Sequence, residues 1–246
     1  MSSKPDQWNM NEVASGAVSR EAVDAGRLKG SRLISRAIVD WWIYEFMQPL
    51  ENFFVRYRVH PNTLSYTGLA LTILGGILLA QGHLIWGGWT VIFAGCFDFF
   101  DGRVARRTNQ MTVQGAFLDS VLDRYMDAAV FFGLAYYYRS HWFFYIVLLA
   151  ILGSTTTPYI RAKAESLGLK SAEGAMQRPE RVLYLGLGSA FGGYAMVLSY
   201  PFSERGQETL PWLQMLAVGL VALFSNMTSL QRLRTGYREL GARGKA

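Results

Sequence analysis

Apolar residues dominate six stretches of the chain: Thr63–Ala80, Leu84–Phe100, Gly115–Tyr137, Trp142–Tyr159, Val182–Tyr200 and Pro211–Leu230. Each is close to the roughly 20 residues that an α-helix needs to cross the hydrocarbon of a bilayer. Short breaks at Gln81–His83, Tyr138–His141 and Pro201–Leu210 alternate with longer, basic ones. Upstream, Ile34, Ile38, Trp41, Trp42, Phe46, Leu50 and Phe53 recur at helical spacing, interrupted by Arg32, Arg36, Asp40, Glu45 and Glu51. That pattern suits an amphipathic helix lying in the membrane interface. The expected fold is therefore an all-α integral membrane protein. A flexible polar tail covers residues 1–30, an interfacial helix 31–58, six transmembrane helices 59–234 and a basic tail 235–246. The first segment has no apolar core followed by a cleavage site, so no signal peptide is expected.

Composition agrees, with 51% hydrophobic residues and only 17% charged, against about a quarter charged in a typical soluble domain. The placement of charge says more. Of 24 Lys and Arg residues, 21 lie on one side: before the first span, in the two basic loops and after the last span; Arg124 lies within a span, and only Arg139 and Arg205 lie on the other side. Cytoplasmic loops carry such an excess, so both termini are expected in the cytoplasm. The basicity reads as topology and attraction to anionic headgroups, and no nucleic-acid partner is expected. The single Cys96 reads as a small buried hydrophobe.

Five aspartates, Asp98, Asp101, Asp119, Asp123 and Asp127, break the apolar pattern of two neighbouring spans. A charge in a membrane helix costs at least about 2.5 kcal/mol and marks a functional site by default. Asp98 and Asp101 are three apart and Asp119 and Asp123 four apart, so each pair shares a helical face. Antiparallel packing would gather all four carboxylates. Such a cluster needs protonation or cations, and all-oxygen ligation suits Mg²⁺ or Mn²⁺, with two ions the natural number. Asp127 is expected to pair with Arg124, three residues away. Arg106 offers a forked cation for phosphate, and Gly102, Ala105 and Gly115 keep the surroundings small. Asn62 is expected to cap the first span.

Read together, Asp98-x2-Asp101-Gly102-x2-Ala105-Arg106-x8-Gly115-x3-Asp119-x3-Asp123 resembles, without a mismatch, the signature of the CDP-alcohol phosphotransferases. The resemblance implies an enzyme of phospholipid synthesis that moves a phosphatidyl group from a CDP-lipid such as CDP-diacylglycerol to an alcohol, releasing CMP. It implies a cytoplasmic active site and a homodimer. By the same likeness Asp98, Asp101, Asp119 and Asp123 hold the metals, with Asp123 also the base for the acceptor hydroxyl. Gly102, Ala105, Arg106 and Gly115, with Asn62 nearby, border the CDP-lipid.

The second basic loop, with Arg161, Lys163, Arg178 and the Glu180-Arg181 pair, looks like that of relatives using inositol 1-phosphate, the phosphatidylinositol-phosphate and archaetidylinositol-phosphate synthases. Arg161, Arg178 and Arg181 are thus the expected acceptor-binding residues, since an anionic acceptor needs convergent cations. Arg161 stands where Lys is expected in the bacterial group, which leaves glycerol 3-phosphate or another polar alcohol as alternatives. A cation- or proton-coupled transporter would also place carboxylates in a membrane, but would form no CMP. A UbiA-like prenyltransferase lacks the Asp-Gly-x2-Ala-Arg string, and a non-catalytic scaffold would not need an intact ligand set.

Overall fold

Proline and polar side chains start the helices, and the apolar runs carry them across. The computed structural model describes residues 47–169, 176–199 and 210–243, and these form seven helices and no strand. They are α1 (Gln48–Arg56), α2 (Pro61–Ala80), α3 (Leu84–Arg107), α4 (Val113–Tyr137), α5 (Phe144–Ser166), α6 (Arg178–Ser199) and α7 (Trp212–Arg243). Pro61 opens α2 at a position where its missing N–H costs nothing. The cap there is His60, whose Nδ1 accepts the backbone N–H of Asn62 at 3.2 Å. Asn62 is therefore inside the first turn, not the capping residue expected from the sequence.

Helices α2, α3, α5, α6 and α7 are long and apolar enough to cross a membrane. α4 is 25 residues long, but Asp119, Asp123, Arg124 and Asp127 keep it out of that class, so five of the six expected spans qualify by composition. Several helices also overrun their apolar stretches on the basic side. α3 continues from Phe100 to Arg107, α5 from Tyr159 to Ser166, and α7 from Leu230 to Arg243. Hydropathy marks the hydrocarbon slab, whereas backbone hydrogen bonding carries a helix on through the headgroups. Residues 31–46 of the expected interfacial helix, and the tail 1–30, lie outside the described residues; of that expected helix the structure describes Gln48–Arg56 as helical.

Packing closes the six long helices into a ring, α3–α2–α4–α5–α7–α6 and back to α3, with α1 docked on the outside of α3. The main core runs through the ring and includes Leu79, Val91, Leu134, Val147, Val218 and Val221. A smaller cluster of Met47, Leu64, Phe100 and Val104 seats α1. Backbones come into direct contact where α2 crosses α4: a Cβ added to Gly133 would fall 2.9 Å from the carbonyl carbon of Gly76. Only glycine allows that approach. Tyr138 donates to Gln214 Oε1 at 2.8 Å, and Gln214 Nε2 donates to Ser189 at 2.9 Å. This fully buried chain ties α4's end to α6 and α7. Exposed Trp86, Trp89, Trp142 and Trp212 all mark one end of the bundle, as interfacial anchors do. The aspartates lie at the other.

Candidate active site

The carboxylates project into the ring from the last turns of α3 and the first turns of α4. Thr112 sets the start of α4, its Oγ1 accepting the N–H of Gly115 at 2.9 Å. α6 enters beside them, its first turn closed by Glu180, whose Oε2 accepts the N–H of Gln177 at 2.8 Å. Three helix ends thus meet at one point.

Carboxylate oxygens of Asp98, Asp119 and Asp123 all lie within 4.8 Å of one another. Asp98 Oδ1 and Asp123 Oδ1 are buried without a hydrogen-bond partner. Converging hard oxygen donors with unsatisfied lone pairs fit a divalent cation such as Mg²⁺ or Mn²⁺. Asp101 is not in this group. It is buried one turn along, where Oδ2 accepts from Ser65 of α2 at 2.5 Å and Oδ1 from the N–H of Gly102 at 2.5 Å. The expected foursome is thus a trio plus a neighbour, because Ser65 captures the fourth side chain.

Positive charge in the trio comes from Arg178. Its Nη1 donates to Asp98 Oδ2 and lies 2.7 Å from Asp123 Oδ1, outside hydrogen-bonding geometry, while Nε is 3.4 Å from Asp127 Oδ1. Arg181 donates to Asp127 Oδ2 at 2.8 Å. Asp127 therefore pairs with α6, not with Arg124 as expected. Arg124 turns outward and reaches only Asp123, at 3.3 Å. Spacing along α4 could not show this, since the partners are brought in by ring closure.

The nucleotide-side residues are arranged loosely. An added Cβ at Gly102 would meet only Arg106 Nη1, at 3.8 Å, and one at Gly115 would approach Asn62 Oδ1 at 3.9 Å. Gly115 and Asn62 thus face each other across the starts of α4 and α2. Ala105 is half-buried on α3, and Arg106 is exposed, its guanidinium making no ion pair or hydrogen bond to the described residues. Of the expected acceptor residues, Arg178 and Arg181 are engaged with aspartates, and Arg161 is exposed beside Glu165 at 2.9 Å. Arg232 of α7 is not among the residues that the sequence pattern marks. It donates to the Thr157 carbonyl at 3.1 Å, keeps Nε buried without a partner, and lies within electrostatic reach of Arg161 and Arg181. Its signal was faint: one basic residue among several past an apolar run.

Residues 58–223 match the CDP-alcohol phosphatidyltransferase family. The chain belongs to that family. It is a multi-pass membrane enzyme of phospholipid synthesis that transfers a phosphatidyl group to an alcohol. The phosphatidylinositol phosphate synthase of Mycobacterium tuberculosis is 32% identical over 201 residues, which is 79% of this chain and 87% of that one. An uncharacterized protein of Aquifex aeolicus is 41% identical over 152 residues, 61% of this chain and 77% of that one. The crystal structure of the Mycobacterium tuberculosis enzyme in complex with manganese and citrate matches with a TM-score of 0.66 at 29% identity, covering 77% of this chain and 88% of that one. With CDP-DAG bound, the TM-score is 0.65 at 28% identity, covering 78% of this phosphatidyltransferase and 94% of that chain.

Proposed function

We propose that the protein transfers the phosphatidyl group of CDP-diacylglycerol to an inositol phosphate at a cytoplasmic site. In this reading α4 is the sixth span, its carboxylates tolerated because they face the ring interior. The observation that carries it is the meeting of the carboxylate trio with Arg178 of α6, one turn from Arg181, which lies within electrostatic reach of Arg232. The one-sided basic charge, with tryptophans at the opposite end, supports the orientation, and the family resemblance supports a homodimer.

Asp98, Asp119 and Asp123, with Asp101 beside them, would hold one or two Mg²⁺ or Mn²⁺ ions. Bound there, the metal supplies neutralisation of the pyrophosphate charge. Asn62, Gly102, Ala105, Arg106 and Gly115 leave room for the CDP moiety, with Arg106 free to donate to its phosphates. Asp123 accepts the proton of the acceptor hydroxyl as its oxygen bonds to the lipid-side phosphorus. The bond from that phosphorus to CMP breaks, and CMP leaves with the electron pair. Arg161, Arg181 and Arg232 draw the acceptor's own phosphate, and Arg178 joins them once Asp98 and Asp123 have another cation.

CMP release from CDP-diacylglycerol with Mn²⁺ tests this, with inositol 1-phosphate, inositol or glycerol 3-phosphate as acceptor. A phosphoinositide product is expected with inositol 1-phosphate, and Arg232→Gln should raise its KM about tenfold, the effect of losing one charged hydrogen bond. Preference for inositol would remove the role of the arginines, and turnover only with glycerol 3-phosphate would reassign the acceptor.

A further inference from the structure

Away from the aspartate cluster, the buried ion pairs among the described residues converge on Glu51 of α1. Its carboxylate, 1% exposed, accepts from Arg103 Nε at 2.6 Å through Oε2 and from Arg107 Nη1 at 3.2 Å through Oε1. Arg103 is itself buried, with its guanidinium 5.3 Å from the centre of the Phe99 ring. Arg107 also donates to Asn52 Oδ1 at 2.7 Å. At 100° per residue, Arg103 stands about 140° around α3 from Asp98 and about 160° from Asp101. The turn that presents carboxylates to the site is therefore gripped from behind.

Adhesion alone does not account for Glu51. Met47, Leu64, Phe100 and Val104 already seat α1 on α3, and a well-packed apolar pair generally does as well as a buried ion pair in stability. Two directional, charge-assisted bonds to residues one turn apart add something apolar contact lacks, which is a fixed rotation and axial register for α3. We propose that Glu51 is a positioning residue of the metal site: through Arg103 and Arg107 it sets the direction in which Asp98 and Asp101 point toward Asp119 and Asp123. The inference rests on the metal reading given above. It makes the seat of α1, whose Phe53 and Tyr57 face outward, a condition for metal binding.

The test uses the full-length protein in detergent, without substrate. Mn²⁺ binding is followed by electron paramagnetic resonance of the free ion, and unfolding temperature is measured in chelator. Glu51→Gln is expected to weaken Mn²⁺ binding about tenfold, as changes to groups that orient ligands do, and to lower the unfolding temperature in chelator as well, because Arg103 is left buried without its carboxylate. Glu51→Asp should lie between, and the exchanged pair Glu51→Arg with Arg103→Glu should recover part of the loss. Wild-type affinity for Mn²⁺ in Glu51→Gln, with or without lowered stability, overturns the proposal. If Glu51→Gln does not fold, unchanged Mn²⁺ affinity in Glu51→Asp overturns it. Absence of Mn²⁺ binding by the wild type overturns the metal reading itself, and this inference with it.

Discussion

Replacing Arg178 by Gln should unmask the electrostatic logic of the site. Arg178 is 15% exposed, and its partners Asp98, Asp123 and Asp127 are 20%, 18% and 10% exposed. Removing one member of a buried ionic group costs about 3–5 kcal/mol, because the charges left behind are uncompensated. Partial water access favours the lower figure. At about 2–4 °C per kcal/mol for a chain of this size, unfolding in chelator should fall by roughly 6–12 °C. Mn²⁺ should return most of that loss, since an ion at a hundredfold excess over its Kd contributes about 2.7 kcal/mol. In the wild type the same ion must first compete with the guanidinium for Asp98 and Asp123. The Mn²⁺-induced rise in unfolding temperature, followed by tryptophan fluorescence in detergent, should therefore be larger in Arg178→Gln than in the wild type. Equal rises in the two proteins, or a drop in chelator below about 2 °C, would refute this account of the cluster.

Asp123→Asn keeps the shape of the site but removes the proposed proton acceptor, so the rate of CMP release should drop about 10²- to 10⁴-fold with the fold intact by circular dichroism. Gly133→Ala forces a methyl group against the Gly76 backbone and should lower stability by about 1–3 kcal/mol. Gly219→Ala, where nothing lies within 4 Å of the new Cβ, should leave stability unchanged or raise it by up to about 1 kcal/mol. Gln214→Leu strands the Tyr138 hydroxyl and the Ser189 hydroxyl in the core and should cost about 1–3 kcal/mol in thermal unfolding. Turnover per folded molecule should stay at the wild-type value.

Sequence reading located the helices and the chemistry because both have local signatures. An apolar run of fixed length needs no partner to be recognised, and carboxylates inside such runs violate the bilayer's chemistry wherever the chain goes. What escaped it depends on rotation about helix axes and on ring closure. Asp101 shares a helical face with Asp98, and the contact of its Oδ2 with Ser65, 36 residues earlier, has no trace in that spacing. Asp127 has Arg124 three positions away on its own helix, but its partners come from α6, more than fifty residues on. Arg232 looks like topology charge until the fold brings it within electrostatic reach of Arg161 and Arg181. Glu51 looked like a break in an amphipathic pattern, and only the fold shows that it turns inward to Arg103.

The crossing of α2 and α4 works as a fulcrum. Gly76 and Gly133 fix where the two helices touch, and Asp123 and Asp119 lie ten and fourteen residues along α4 from that point, about 15 and 21 Å at 1.5 Å per residue. A tilt of about 3° at the fulcrum swings Asp119 by roughly 1 Å, a displacement large enough to cost about a hundredfold in rate. One methyl group added at Gly133, ten residues from the nearest of these aspartates, is thus a lever on the aim of Asp119 and Asp123.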